Sequence, residues 1–170
     1  MTTNAAVLIR RAEPPDASAL GRLGAALVRA HHAFDAHRFL TPAPGLEDGY
    51  AHFLRTQLEQ EDVAIFVAER AGAIVGYVYA AVEPRSWKEL RDVAGFNHDV
   101  VVDPGARRSG VGRRLIETAA AWLATRGVPR VILWTAEQNQ DAQRLFEHLG
   151  FRRTMVEMTR ESPLDPGTRD

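Results

Sequence analysis

The stretch Val100-Val101-Val102-Asp103-Pro104-Gly105-Ala106-Arg107-Arg108-Ser109-Gly110-Val111-Gly112-Arg113-Arg114-Leu115 constrains this chain more than any other. An apolar run stops at a Pro-Gly turn, and a glycine-punctuated basic loop follows. The loop opens into a helix with apolar residues at Val111, Leu115, Ala119 and Leu123. Strand, loop and helix N-terminus in that order make a seat for an anion. The first N–H groups of the helix have no internal acceptor, and the positive end of its dipole points the same way. Gly110 and Gly112 lack a Cβ, so phosphate groups can approach the main chain. Arg107, Arg108, Arg113 and Arg114 flank the spot, and guanidinium groups suit bidentate phosphate contacts.

Two phosphate loops are excluded by what stands at their key positions. Gly105 to Gly110 has P-loop spacing, but Val111 and Gly112 occupy the places of Lys and Ser/Thr, which argues against nucleotide hydrolysis. Gly110-Val111-Gly112 is followed by Leu115 where a dinucleotide fingerprint needs a third glycine or alanine. The arginines cluster here while the formal net charge of the chain is only −1, which suits a small polyanion better than nucleic acid. Cysteine is absent, so a thiolate nucleophile and cysteine-ligated zinc are excluded, and a reducing, cytoplasmic setting is expected. No signal-peptide pattern or membrane-length apolar run is evident.

Along the chain, Val7 to Arg11 reads as a first strand and Pro14-Pro15-Asp16 as a helix start, the helix running to about His31 on a Leu20, Leu23 and Leu27 stripe. His31, His32, Asp35 and His37 cluster before Pro42, and lining or surface histidines fit better than metal ligands because no downstream partner completes a set. A second helix is expected from Glu47 to Gln60. Val63 to Ala68 and Ala73 to Ala80 form a hairpin across Ala71-Gly72, with Tyr77 and Tyr79 on one face. Glu83 to Gly95 is a long connection in which Trp87 covers substrate, sits in an interface or packs locally.

Gly95 to Val102 is the strand feeding the anion loop, and its helix ends at Gly127. Val131 to Trp134 reads as a buried strand. Asn139 or Asp141 caps a further helix with Ala142, Leu145, Phe146 and Leu149 on its apolar side, stopped by Gly150. Phe151 to Arg160 is expected to add a last strand, and 161–170 to be a frayed tail. Residues 1–160 are thus expected to form a single domain.

Three of these elements carry a resemblance. Arg107-x-x-Gly110-x-Gly112 resembles the acetyl-CoA signature Q/R-x-x-G-x-G/A of the GNAT N-acetyltransferases. The hairpin resembles the one that precedes it in that family. Asn139-x-x-Ala142-x-x-Leu145-Phe146-Glu147-x-x-Gly150-Phe151 resembles the family's N-x-x-A-x-x-[LF]-[YF]-[EK]-x-x-G-F block. The likeness runs from Val7 to Arg160.

The resemblance implies an α/β (α+β type) fold: a twisted, mixed and mostly antiparallel sheet flanked by helices, with one splayed parallel pair. It further implies that Val100, Val101 and Val102 meet the pantetheine arm of acetyl-CoA. Arg107, Arg108, Ser109, Gly110, Val111, Gly112 and Arg113 would meet its phosphates. Asn139 lies where the family often touches the cofactor, though a plain helix cap explains it equally well.

The implied reaction is acetyl transfer from acetyl-CoA to a primary amine within a ternary complex. It needs no metal, and a small-molecule amine is favoured over a peptide N-terminus or lysine. A non-catalytic acyl-CoA sensor is the alternative from another class. A lysine-like ammonium, pKa about 10.4, must lose a proton before it attacks. Asn97, His98 and Asp99 are the base candidates, with Asp99 first and His98 second. Simple alternation places Asn97 and Asp99 on one face and His98 on the other. Phe146 stands where many relatives carry the tyrosine that protonates the leaving thiolate, which leaves water, Tyr50, Tyr77 or Tyr79 for that task. Homodimers are common in the family.

Overall fold

The computed structural model describes residues 6–162. Its sheet has five strands in sequence order: β1 (Val7–Arg11), β2 (Val63–Arg70), β3 (Ala73–Glu83), β4 (Ala94–Val102) and β5 (Val131–Leu133). The first three pairings are antiparallel and the last, β4 with β5, is parallel. The β2–β3 hairpin turns on Ala71 and Gly72, both with positive φ (52° and 79°), as a two-residue turn that follows the strand twist requires.

Helices cover both faces. A 3₁₀ turn at Pro14–Asp16 leads into α1 (Ala17–Phe34), which runs a turn beyond the expected end, and α2 is Leu46–Gln57. Leu20 and Leu23 of α1 and Leu54 of α2 pack with Ile65, Val67, Tyr77, Tyr79 and Val101. On the other face α3 (Val111–Thr125) sets Val111, Leu115, Ala119 and Leu123 against Val78 and Ala80. The α4 helix is Gln140–His148. Gly21 and Gly24 let α2 lie close on α1: a Cβ at Gly21 would strike the Glu47 carbonyl, and one at Gly24 the Tyr50 ring.

Two expectations fail at the end of the sheet. Phe151 to Arg160 forms no strand. Side chains fasten it to α4 and to the turn after α1 instead: the Phe151 ring meets Phe146 at 6.0 Å, Arg153 reaches Gln143 and Glu147, and Glu157 pairs with Arg38. In consequence β5 ends the sheet among the described residues. Its three residues are half-buried rather than buried, and Trp134 is outside the strand and 71% exposed. Of the expected tail, residues 163–170 lie outside the described residues.

Candidate active site

The parallel ladder joins Gly95, Phe96 and Asn97 to Val131, Ile132 and Leu133, then stops. From His98 to Val102 the edge of β4 that faces β5 has no strand partner among the described residues, so its peptide groups are open to an extended ligand. Val100 and Val102 pack towards α3 and Val101 is buried towards α1 and α2. Arg107 donates from Nε to the Val102 carbonyl at 3.0 Å, at the end of that open edge.

The loop then delivers its glycines to the start of α3. Gly110 is the N-cap with φ 82°, and a Cβ added there would meet nothing within 4 Å. No side chain caps this helix, and the first main-chain bond back is Arg114 N–H to Gly110 C=O at 3.1 Å. The N–H groups of Val111, Gly112 and Arg113 therefore face outward as donors for an anion. Val111 contributes main chain only, since its side chain is in the core.

The arginines divide. Arg108, at φ 57°, makes no hydrogen bond or ion pair among the described residues and is exposed. Arg113 pairs with Glu117 at 2.7 Å, and Arg114 reaches back to the Val7 carbonyl, away from the loop. Ser109 Oγ donates to Ala106 C=O at 2.6 Å and shapes the turn. Asn139 is the α4 cap, its Oδ1 accepting from Ala142 N–H at 3.3 Å; Asp141 is not. Leu145 of α4 approaches Gly112, so the two helices meet beside the anion seat.

The side chains before the valines depart from simple alternation. Tyr79 pairs with Asp99 and Ala80 with Asn97, leaving His98 unpaired in a β-bulge. One extra residue shifts the phase of the strand. Asn97 therefore lies opposite Ala80 in the α3 layer, while His98 and Asp99 both turn to the α1–α2 side. Asp99 Oδ2 accepts from Tyr50 Oη at 2.7 Å and from Tyr77 Oη at 2.8 Å. Burial raises the Asp99 pKa, while the two phenols, and after them the charges of His98 and His31, pull it down; the balance lies above the usual carboxylate range.

Each of the three tyrosines is committed to an acceptor. Tyr50 and Tyr77 serve Asp99, and Tyr79 Oη donates to Gln57 Oε1 at 2.9 Å. Burial lifts the Tyr50 and Tyr77 phenols, with the Asp99 charge adding to it, and burial lifts Tyr79 to about 12. All three are thereby weakened as proton donors.

His98 Nε2 lies 2.8 Å from Glu83 Oε1, and its ring stacks on Phe96 at 5.4 Å and tilts against Tyr79 at 4.9 Å. Phe53 extends this row beyond Tyr79, and Trp134 extends it beyond Phe96. Trp87 stands apart, 81% exposed beneath the Arg85 guanidinium. His31 Nδ1 contacts the Leu27 carbonyl at 2.9 Å, and no three metal-binding side chains converge among the described residues. The tyrosine pair on Asp99 and the Glu83 partner escaped sequence reasoning, because nothing in residue order signals a bulge.

Three comparisons with known proteins bear on this geometry. The model of the acetyltransferase (GNAT) family matches residues 30–151. An N-acetyltransferase of Bacillus subtilis, YhfO, is 30% identical over 146 residues, which is 84% of this chain and 88% of that protein. Mycothiol acetyltransferase of Thermomonospora curvata is 37% identical over 103 residues, 61% of this chain but 32% of that protein, so this chain spans about a third of its length. Among solved structures, aminoglycoside N-acetyltransferase AAC(6')-Iy in complex with CoA superposes with a TM-score of 0.76 at 19% identity, covering 96% of this chain and 99% of that one. Splayed strand, glycine-started helix and family match agree: the chain belongs to the GNAT acetyltransferase family.

Proposed function

We propose that this chain, as one domain over residues 1–160, transfers acetyl from acetyl-CoA to the primary amine of a small molecule. The observation that carries this reading is the continuity of two open surfaces. The unpaired edge of β4 leads straight to the uncapped first turn of α3. An extended arm ending in a diphosphate fits that path: peptide groups for the arm, helix N–H groups and Arg108 for the phosphates.

The chemistry follows from the same face of the sheet. The acceptor nitrogen attacks the thioester carbonyl carbon, the C–N bond forms, the C–S bond breaks as CoA thiolate departs, and the proton that the nitrogen sheds after attack passes through water to the sulfur. Asp99 takes the proton that the ammonium must lose, directly or through one water, and its raised pKa makes it a stronger base than a surface carboxylate. A thiol of pKa about 8.5 leaves without a dedicated acid, consistent with a buried phenylalanine at 146 and three tyrosines committed elsewhere. The aromatic row Phe53, Tyr79, His98, Phe96 and Trp134, with Glu83 beside it, suits an amine that presents flat apolar faces. The mycothiol and aminoglycoside acetyltransferases among the similar proteins act on small molecules by name, which agrees.

Release of free CoA thiol from acetyl-CoA with a panel of amines and peptides tests the reading. Release with small amines supports it, and release with peptides alone moves the acceptor to protein. Phe146 favours one second reading, an acyl-CoA sensor, for which CoA binds and no amine elicits thiol. We also infer a cytoplasmic homodimer joined at the free edge of β5, near which Trp134 stands exposed, with Met155, Val156 and Met158 exposed after α4. Light scattering giving one 18.8 kDa chain per particle would reject the dimer.

A further inference from the structure

Two buried polar groups without partners stand on either side of the point where β4 and β5 part. Asn97 is the last β4 residue in the parallel ladder, is 2% exposed, and among the described residues has no hydrogen-bond partner for either Nδ2 or Oδ1. Thr135 lies two residues past Leu133 on the other arm, and its buried Oγ1 is likewise unpaired. Leaving such groups dry and unbonded is unfavourable, and Asn97 sits in the layer with Val78, Ala80 and the apolar side of α3, where leucine or valine would pack without that cost.

Whatever satisfies them must be slim enough to lie between two separating strands and must offer both a donor and an acceptor. It must also connect with an anion at the start of α3. A carboxamide donates to the carbonyl of one secondary amide and accepts from the N–H of another, and a hydroxyl donates to a carbonyl. The pantetheine arm of acetyl-CoA carries secondary amides and ends in a thioester carbonyl.

We propose that Asn97 and Thr135 are positioning residues that hydrogen-bond the amide and thioester end of the pantetheine arm. They fix how far the thioester enters between the strands and so where it meets the acceptor amine. Asn97 thereby takes a role on the cofactor side of the sheet, opposite the face that holds Asp99. This rests on the acetyl-CoA reading above, and deepens it.

Calorimetric titration of CoA and of 3′-phosphoadenosine 5′-diphosphate, which has the phosphates but not the arm, tests it on the wild type, Asn97→Leu and Thr135→Val. The wild type is expected to bind CoA more tightly than the nucleotide. Asn97→Leu is expected to lose on the order of tenfold in CoA affinity with nucleotide affinity unchanged, and its ligand-free unfolding temperature should rise. Thr135→Val should show a smaller loss of the same kind, and it decides the matter if Asn97→Leu does not fold. Equal loss for both ligands, no loss for CoA, or a lower ligand-free unfolding temperature in Asn97→Leu would overturn the proposal. Variants that keep the wild-type preference for CoA reject this inference alone, whereas a wild type that binds both ligands equally also rejects the pairing of the arm with β4, and one that binds neither rejects the acetyl-CoA reading.

Discussion

Asp99 is a carboxylate held by two phenols in a half-buried place, and the two influences on it oppose each other. Because its folded pKa lies above the unfolded value, its contribution to stability is fully present below an unfolded pKa of about 3.9 and is lost as pH rises through the folded pKa. At pH 7 the charged form therefore weakens the fold. Asp99→Asn keeps an acceptor for the tyrosines and removes the charge, so thermal melts should place it above the wild type at pH 7, the gap closing below about pH 4. Its kcat/KM should fall by about 10²-fold or more, the loss usual for a general base. A variant that is less stable than the wild type at pH 7 would mean that the phenols, not burial, govern this carboxylate. At position 146, Phe146→Tyr should retain activity, because the proposed transfer uses no acid there; loss of thiol release at every pH would show that packing rules the position. The residue types at 97–99 were readable in the sequence, and their faces were not. A bulge moves one residue out of register without any change in composition, and only the pairing of Tyr79 with Asp99 and Ala80 with Asn97 reveals it.

Helices and strands follow hydrophobic periodicity wherever the apolar face of an element has a neighbour. The Leu20, Leu23 and Leu27 stripe, the hairpin on Ala71-Gly72 and the α3 repeat all fold as their spacing implies. Periodicity fails where side chains find other partners: Phe151 to Arg160 has strand-like residues, but Phe151, Arg153 and Glu157 are tied to α4 and to Arg38, and the segment does not join the edge of β5. Contact between α1 and α2 depends on single atoms. Gly24→Ala would push against the Tyr50 ring that reaches Asp99, and should cost about 1–3 kcal/mol in denaturant unfolding while altering the pH profile of activity as Tyr50→Phe does. Gly49→Ala, on the open side of α2 with nothing within 4 Å of the new Cβ, should instead stabilise by about 0.5–1 kcal/mol. Equal effects of the two changes would show that helix propensity, not the approach of α2, explains Gly24.

Over the whole molecule, one sheet separates the two tasks of the proposed reaction: the α3 side and the β4 edge are assigned the cofactor path, and the α1–α2 side presents Asp99, His98 and Glu83. The first strand is joined to both hairpin and helix by Arg10, which bonds Asp16 at 2.7 Å and Glu69 at 2.9 Å. Arg10 holds the Asp16 carboxyl below its usual range, so that stabilisation is present above the unfolded pKa and disappears as pH falls through the lower folded one. Asp16→Asn should therefore cost about 1–2 kcal/mol near neutral pH and nothing once acid has neutralised the wild-type carboxyl; a loss that is the same at every pH would point to the Glu13 cap instead. The anion seat was the most legible part of the site, because glycine and arginine at fixed spacing dictate main-chain geometry directly. The acceptor side was the least legible, because aromatic rings from α2, β3, β4 and the segment after β5 meet there only in three dimensions. Calorimetry with CoA and Gly110→Asp tests the anion seat most directly, since aspartate tolerates the positive φ while placing a carboxylate where the diphosphate belongs. The wild type is expected to bind CoA and the folded variant to bind about 100-fold more weakly or not at all; unchanged affinity in Gly110→Asp would contradict the account.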